Sequence, residues 1–371
     1  MGLTSDVTLA VAAGSAVALF AATVWLWPRL ARRGPRAVTG RIGLLLATQV
    51  ALFASVGLAA NQAFGFYAGW ADLFGQEDDL GVVVDHAGGG GLEVLENERV
   101  AGAPGALPAS GGRVQKVAVA GRTTDIATHA YVYLPPEYFQ PRHRARTFPA
   151  AIVLTGYPGT ARALVDKLHF PRTARELAAA GRMEPMILVM LRPTVAPPRD
   201  TECVDVPGGP QAESFFAKDL PEAVGAHYRV DPKPGRWGVI GDSTGGYCAL
   251  KLAMHHPEVF GAGAGLSAYY KAPVDATTGD LYRGDERVRD RADLWWCLEH
   301  LPAPDTSLLV TSSKSGESNY KDTLEFVERV KAAPPTRISS IILERGGHNF
   351  NTWRREIPAA LEWMSGRLAG A

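Results

Sequence analysis

Residues 236–256 read RWGVIGDSTGGYCALKLAMHH, and the serine in that stretch, Ser243, has a glycine two positions away on each side. A serine hydroxyl can attack an acyl carbon, but near neutral pH it is a weak nucleophile and needs a base to take its proton. Residues 237–240 are a short apolar, β-rich run and residues 247–254 have helical composition. The segment Gly241-Asp242-Ser243-Thr244-Gly245 therefore falls on a strand-to-helix turn, the context a G-x-S-x-G nucleophile elbow requires. Such a turn strains the serine backbone, and a side chain on either flanking residue would collide with the neighbouring strand or helix. Forty glycines make a chance match of this pattern easy, so the assignment depends on a base, an acid and an oxyanion hole elsewhere in the chain.

Histidine is the base whose proton affinity suits this work, and the chain has nine. His255 and His256 lie more than three turns along the helix after Ser243 and cannot easily fold back. His86, His129 and His143 precede the repeating β/α part, His300 lies in an insert, and His169 and His227 belong to the helical side of their units. His348 differs. It follows the strand expected at 339–343, in Glu344-Arg345-Gly346-Gly347-His348-Asn349-Phe350, where paired glycines let a loop turn back over the sheet edge that carries Ser243. With an imidazole base, hydrolysis is expected to rise with pH through roughly 6 to 7.5.

The third group must fix the imidazole tautomer and stabilise the imidazolium, so it should be a carboxylate on the loop after the preceding strand. That loop reads SSKSGESN and its acid is Glu317. Asp322 is the next candidate, already inside the following helix, and an acid at a helix start also has the ordinary role of meeting the helix dipole. The order Ser243, Glu317, His348 is the chain order of α/β-hydrolases. Two backbone N–H donors should receive the oxyanion: Thr244, directly after the nucleophile, and one from Thr155-Gly156-Tyr157-Pro158-Gly159, with Tyr157 first and Gly156 next.

These loops need a frame. Strands are expected at 114–119, 127–134, 150–154, 186–191, 237–240, 261–266, 307–311 and 339–343, with helices near 173–180, 213–228, 247–254, 320–330 and 353–368. Strands alternating with helices at these lengths predict an α/β-hydrolase fold, a mostly parallel sheet with helices on both faces, and sites at the carboxyl ends of its strands.

The chain of 371 residues is 46% hydrophobic, with 38 basic and 38 acidic residues. That is enough for a large core, and the balance of charge provides no field to recruit nucleic acid. Residues 7–27 and 42–70 carry no charge, and each run exceeds the ~20 residues of a spanning helix. Between them stand Arg29, Arg32, Arg33, Arg36 and Arg41 without an acid, the asymmetry of a short cytoplasmic loop. A signal peptide would place its basic residues ahead of the apolar run. The expected organisation is a two-helix transmembrane hairpin at 1–70, with Trp25, Trp27, Phe66, Tyr67 and Trp70 as interfacial aromatics, a flexible linker at 71–112, and a hydrolase domain at 113–371 outside the cytoplasm. The glycine run 88–91 lacks the Lys-Ser or Lys-Thr of a phosphate loop, and the cysteines lack C-x-x-C spacing, so no cofactor or metal is expected.

With these residues in place, the chain resembles the esterase D branch of the α/β-hydrolases, which includes the antigen 85 mycolyltransferases and actinobacterial esterases. The likeness covers about 114–368. It rests on LTGYPG at 154–159, RDTECVDVPGG at 199–209, KDLP at 218–221, GDSTGG at 241–246 and GGHNFNTW at 346–353. It implies a Ser, Asp or Glu, His triad at Ser243, Glu317 and His348, oxyanion donors at Thr244 and Tyr157, and ester chemistry outside the membrane. The acid is the least direct transfer, because the spacing of that loop differs between branches.

Residues 267–305 form a polar insert with Tyr269, Tyr270, Tyr282, Trp295 and Trp296, expected over the site as a lid or acyl-binding wall, or simply packed on the sheet. Cys203 and Cys297 both belong to loops at this edge and could pair in an oxidising compartment, while Cys248 is expected to be a buried thiol. Three functions follow: a membrane-anchored esterase acting on an ester or acyl-lipid, an acyltransferase passing the acyl group to an envelope glycan or lipid hydroxyl, and a silent membrane scaffold. The first two use the same residues. A scaffold has no need of serine, histidine and acid on three separate loops.

Overall fold

The computed structural model describes residues 6–31, 34–64, 91–105, 107–197 and 199–369. The chain divides into two units, Met1–Asp78 and Asp79–Ala371. In the first, α1 (Asp6–Leu30) and α2 (Pro35–Phe64) pack along one another. Thr23 and Thr48 join them through hydroxyls 3.0 Å apart, and each hydroxyl also donates to the carbonyl one turn back. Large apolar side chains, among them Phe20, Val24, Trp25, Val50, Phe53 and Val56, point outward. A helix of this composition with an apolar exterior is long enough to cross a bilayer. The interfacial aromatics expected at Phe66, Tyr67 and Trp70 lie outside the described residues.

The second unit is built on a nine-stranded sheet ordered β1-β2-β3-β5-β4-β6-β7-β8-β9. The strands are β1 (Gly91–Glu98), β2 (Arg113–Ala120), β3 (Ala127–Leu134), β4 (Ala150–Leu154), β5 (Ile187–Leu191), β6 (Trp237–Asp242), β7 (Phe260–Leu266), β8 (Ser307–Ser313) and β9 (Arg337–Leu343). The first three and the β3–β5 pair are antiparallel, and every pairing from β5 through β9 is parallel. β4 and β5 read AAIVL and ILVML and are wholly buried, as central parallel strands covered on both faces must be.

Helices α3 (Phe170–Ala179), α4 (Leu220–His227), α5 (Thr244–His255), α6 (Leu294–His300), α7 (Tyr320–Lys331) and α8 (Phe350–Ala369) follow in order. α3 and α8 share one core layer, while α4, α5 and α7 share the other. Helix α7 shows why it docks: Thr323, Phe326, Val327 and Val330 recur at helical spacing and are its buried residues. The single helix expected at 213–228 is instead a short turn, a wide π turn at Phe215–Asp219, and α4. Pro221 has no N–H to continue an α-helical ladder, and the wide turn accommodates that loss.

The expected linker at 71–112 is corrected in part. Residues 71–90 lie outside the described residues, but 91–98 form β1 at the sheet edge. Leu92 and Val94 alternate inward against the core while Glu93 and Glu96 face out, and Leu95 is the extra residue of a bulge. A charged edge strand carries an acidic composition that resembles a linker.

Candidate active site

Ser243 stands between β6 and α5 with φ 54° and ψ −119°, a backbone conformation costly for any residue with a side chain. Its N–H donates to the Leu266 carbonyl at the end of β7, 2.9 Å away, which ties the turn to the adjacent strand. The flanking glycines are required by contact: a Cβ on Gly241 would overlap the Gly245 backbone, and one on Gly245 would overlap the Leu154 carbonyl.

His348 reaches this serine from the loop after β9. Its Nε2 lies 2.8 Å from Ser243 Oγ. The loop is held where it enters α8: Asn349 Oδ1 accepts from the N–H groups of Asn351 and Thr352, and the Gly347 N–H donates to Thr352 Oγ1. Trp353 sets its ring edge-to-face with the imidazole at 5.2 Å between centroids.

Of the two acids considered from the sequence, Glu317 is brought to the histidine and Asp322 is exposed on α7. The Glu317 side chain is only 1% exposed, and its Oε2 lies 3.9 Å from His348 Nδ1, within ion-pair reach but longer than a hydrogen bond. Its other oxygen accepts from Ser267 Oγ at 2.7 Å, and that hydroxyl accepts from Trp353 Nε1 at 2.8 Å. A further acid, Glu356, lies behind this pair. Thr311 Oγ1 donates to it at 2.8 Å and accepts the Ser267 N–H. Burial, with the negative Glu317 adding to it, pushes the Glu356 carboxyl up to about 8. Near neutral pH Glu356 is therefore held neutral.

The loop after β4 faces Ser243 closely: a Cβ on Gly156 would come 2.9 Å from Ser243 Cβ. Gly156 N–H donates to Asp242 Oδ2 at 2.9 Å, so this N–H is engaged and Tyr157 is the next residue along. Thr244 opens α5, and an N–H in the first turn of a helix has no partner within that helix.

Residues 192–211 and 267–305 are joined into one cap. Arg199 donates from Nε to the Thr278 carbonyl at 2.5 Å and from Nη2 to the Asp280 carbonyl, the Asp200 N–H donates to the Thr277 carbonyl, and Arg283 donates to the Gly208 carbonyl. The aromatic side chains of the insert mostly pack inward. Tyr270 stacks on Phe326 with Trp295 edge-on to both, and Tyr269 stacks on Tyr247 of α5 while its hydroxyl donates to Glu202 Oε2 at 2.5 Å. Burial, reinforced by Asp200, pushes Glu202 up to about 8, and burial pushes Asp200 up to about 6.

The expected pairing of Cys203 with Cys297 is corrected: Cys203 is bonded to Cys248 across 45 residues. Cys248 lies on α5, against which the 192–211 loop packs, whereas Cys297 on α6 places its sulfur 3.6 Å from His255 Nε2 and is a buried thiol that burial pushes up to about 11. The sequence reading missed Ser267, Trp353, Glu356, Glu202 and the role of Asp242. Ser267 and Trp353 come together only when β7 and α8 are assembled, and their spacing in the chain does not mark them.

Residues 122–364 match the sequence model of the family described as "Putative esterase". An uncharacterized protein of Corynebacterium glutamicum is 24% identical over 273 residues, 69% of this chain, and the chain spans 62% of that relative's length. Among solved structures, an S-formylglutathione hydrolase from Agrobacterium tumefaciens superposes with a TM-score of 0.58 at 19% identity, covering 73% of this chain and 100% of that one. The fluorophosphonate-binding serine hydrolase F of Staphylococcus aureus superposes at 0.56 with 17% identity, covering 68% and 98%. At these identities the likeness to solved structures concerns the fold.

Proposed function

Because the chain belongs to the esterase family, serine hydrolases built on the α/β-hydrolase fold, we propose that it is a membrane-anchored esterase whose catalytic unit works on the outer side of the membrane. The observation that carries the reading is the 2.8 Å contact between His348 Nε2 and Ser243 Oγ on a strained turn. In this reading Ser243 Oγ attacks the ester carbonyl carbon as His348 Nε2 takes its proton. The Thr244 and Tyr157 N–H groups receive the oxyanion, and buried Glu317 faces the imidazolium. Collapse of the intermediate breaks the ester C–O bond, and the leaving alcohol takes the proton from His348. Water then attacks the acyl-enzyme by the same route, releasing the acid and restoring Ser243.

Three observations support the anchor. α1 and α2 each exceed the length needed to cross a bilayer, their apolar side chains face outward, and the arginines near their connection are the charge bias that favours a cytoplasmic turn. Both far ends of the hairpin would then lie outside, leaving residues 113–371, with β1, in the compartment where a Cys203–Cys248 bridge persists. The substrate class is an ester or acyl-lipid reachable from the membrane surface.

The test is labelling of the detergent-solubilised chain with a fluorophosphonate. Wild type should label, and Ser243→Ala and His348→Ala should lose labelling; undiminished labelling of Ser243→Ala would sink the assignment. Absence of labelling in folded wild type would favour a scaffold. With labelling established, products from an ester panel, with and without sugar acceptors, separate hydrolysis from acyl transfer.

A further inference from the structure

Asp242, the residue in front of the nucleophile, is an expensive place for a carboxyl group. It is 1% exposed, one oxygen accepts the Gly156 N–H at 2.9 Å, and Oδ1 is buried without a hydrogen-bond partner among the described residues. A buried acid with an unsatisfied oxygen costs stability, so a hydrophobic or amide residue of this size would make a more stable turn. The placement is set by the sheet. Leu154 and Gly241 are partners across β4 and β6, so the loop after β4 runs beside Asp242 and Ser243. A Cβ on Gly156 would be 2.9 Å from Ser243 Cβ and 3.2 Å from Asp242 Oδ2. The loop backbone is thus pressed against the nucleophile, and Asp242 supplies the side-chain bond that holds the Gly156 N–H there.

We propose that Asp242 is a positioning residue of the esterase reaction: its carboxylate pins the Gly156 N–H so that the loop presents the next N–H, that of Tyr157, to the oxyanion, and it sets a compensating charge near the imidazolium formed at His348. The inference rests on Ser243 and His348 being nucleophile and base, which the fluorophosphonate comparison tests by itself.

The surroundings of Asp242 come from the loop after β4, the end of β7, the start of α5 and the loop after β9. The titratable group acting on it is His348, on the last of these. Burial pushes Asp242 up to about 7, and the Gly156 N–H and His348 act to pull it down. The carboxyl is therefore neutral well below that pH and charged above it. A neutral carboxyl still accepts from Gly156, but more weakly than a carboxylate, and it offers the imidazolium no charge. Asp242→Asn imitates the neutral form at every pH.

The deciding measurement is kcat and KM on a short-chain p-nitrophenyl ester from pH 5.5 to 8.5, with the full chain in detergent. The ratio of wild-type to Asp242→Asn kcat should be within about 3-fold at pH 5.5 and rise to about 10-fold at pH 8.5, with KM changed less than about 3-fold. Asp242→Ala, which leaves the Gly156 N–H without its acceptor, should lose roughly 10²-fold in kcat at every pH. A purely structural role would lower activity by the same factor throughout. A ratio that stays flat with pH, or an Asp242→Asn variant faster than wild type at pH 8.5, overturns the inference. If both variants fail to fold, the wild-type profile decides: the acid limb of kcat must fall up to about 10-fold further than a single titration allows, and a limb that fits one titration overturns it.

Discussion

The strand-turn-helix from β6 to α5 and the cap made by residues 192–211 and 267–305 touch one another, yet they are built by opposite means. In the elbow, position is set by backbone against backbone: Gly241, Gly245 and Gly156 allow approaches that any side chain would block. In the cap, position is set by side-chain tethers, namely the Cys203–Cys248 bridge, the Arg199 and Arg283 bonds to carbonyls, the Tyr269–Glu202 bond, and Lys251 of α5, which donates to the Cys203 carbonyl and to Glu213 at 2.6 Å each. Backbone contacts of the first kind tolerate almost no substitution and fix the chemistry. Tethers of the second kind can be exchanged one at a time, each at the cost of its own bond.

On that division, the largest effect outside the elbow should come from Glu317, the acid proposed to face His348. Glu317→Gln keeps the bond from Ser267 but removes the charge facing His348, and kcat should fall by about 10³-fold. Asp322→Asn, on the exposed side of α7, should change kcat by less than about 2-fold. Equal losses in the two variants, or a larger loss in Asp322→Asn, would remove Glu317 from the triad.

Removing the bridge tests the cap. Closing a loop of 45 residues in the unfolded chain corresponds to about 4 kcal/mol of stability by the chain-entropy relation. Replacing Cys203 and Cys248 together by alanine should lower the guanidinium unfolding midpoint accordingly, while the folded fraction still labels with fluorophosphonate at near the wild-type rate. A midpoint unmoved from wild type, with thiol titration showing three free cysteines in wild type, would mean the tether does not form.

The elbow was legible in the sequence for the same reason that it is rigid. Its constraints are local, and glycines at 241 and 245 around a serine record them directly. His348 was legible because the paired glycines before it, after the last strand, mark a loop able to turn back toward Ser243. The cap resisted reading because its partners are far apart in the chain: Cys203 meets Cys248 because the 192–211 loop packs on α5, and nothing in the spacing of the three cysteines separates that pairing from the one expected with Cys297. Aromatic composition left two readings open, a wall for substrate or packing on the sheet, and Tyr270 and Trp295 take the second, against Phe326. β1 was hidden by its own charges, since a sheet edge facing water tolerates the glutamates that also mark linkers.

The smallest expected effect concerns one tether, and its pH dependence has a definite sign. Tyr269→Phe keeps the ring stacked on Tyr247 and removes only the hydroxyl that donates to Glu202. Burial raises the Glu202 carboxyl to about 8, well above its unfolded value, so the folded protein holds a proton there that the unfolded chain has already released. Wild-type stability therefore declines as pH rises from the ordinary carboxylate range toward 8, and levels off once the folded group is also ionised. The Tyr269 hydroxyl favours the ionised form, so without it that levelling-off moves to higher pH. The stability deficit of Tyr269→Phe should thus be about 1 kcal/mol near pH 6.5, where a neutral acid loses one hydrogen bond, and roughly 2–3 kcal/mol near pH 9, where a buried carboxylate loses it. Turnover of a short ester at pH 7 should stay within about 3-fold of wild type, because the Tyr269 hydroxyl meets the elbow through the Thr244 side chain and its loss leaves Ser243, His348 and the Thr244 N–H in place. Thermal unfolding of both proteins across this range gives the comparison, and a deficit that does not grow toward pH 9 would mean that Glu202 does not gain its charge beside Tyr269 in this range.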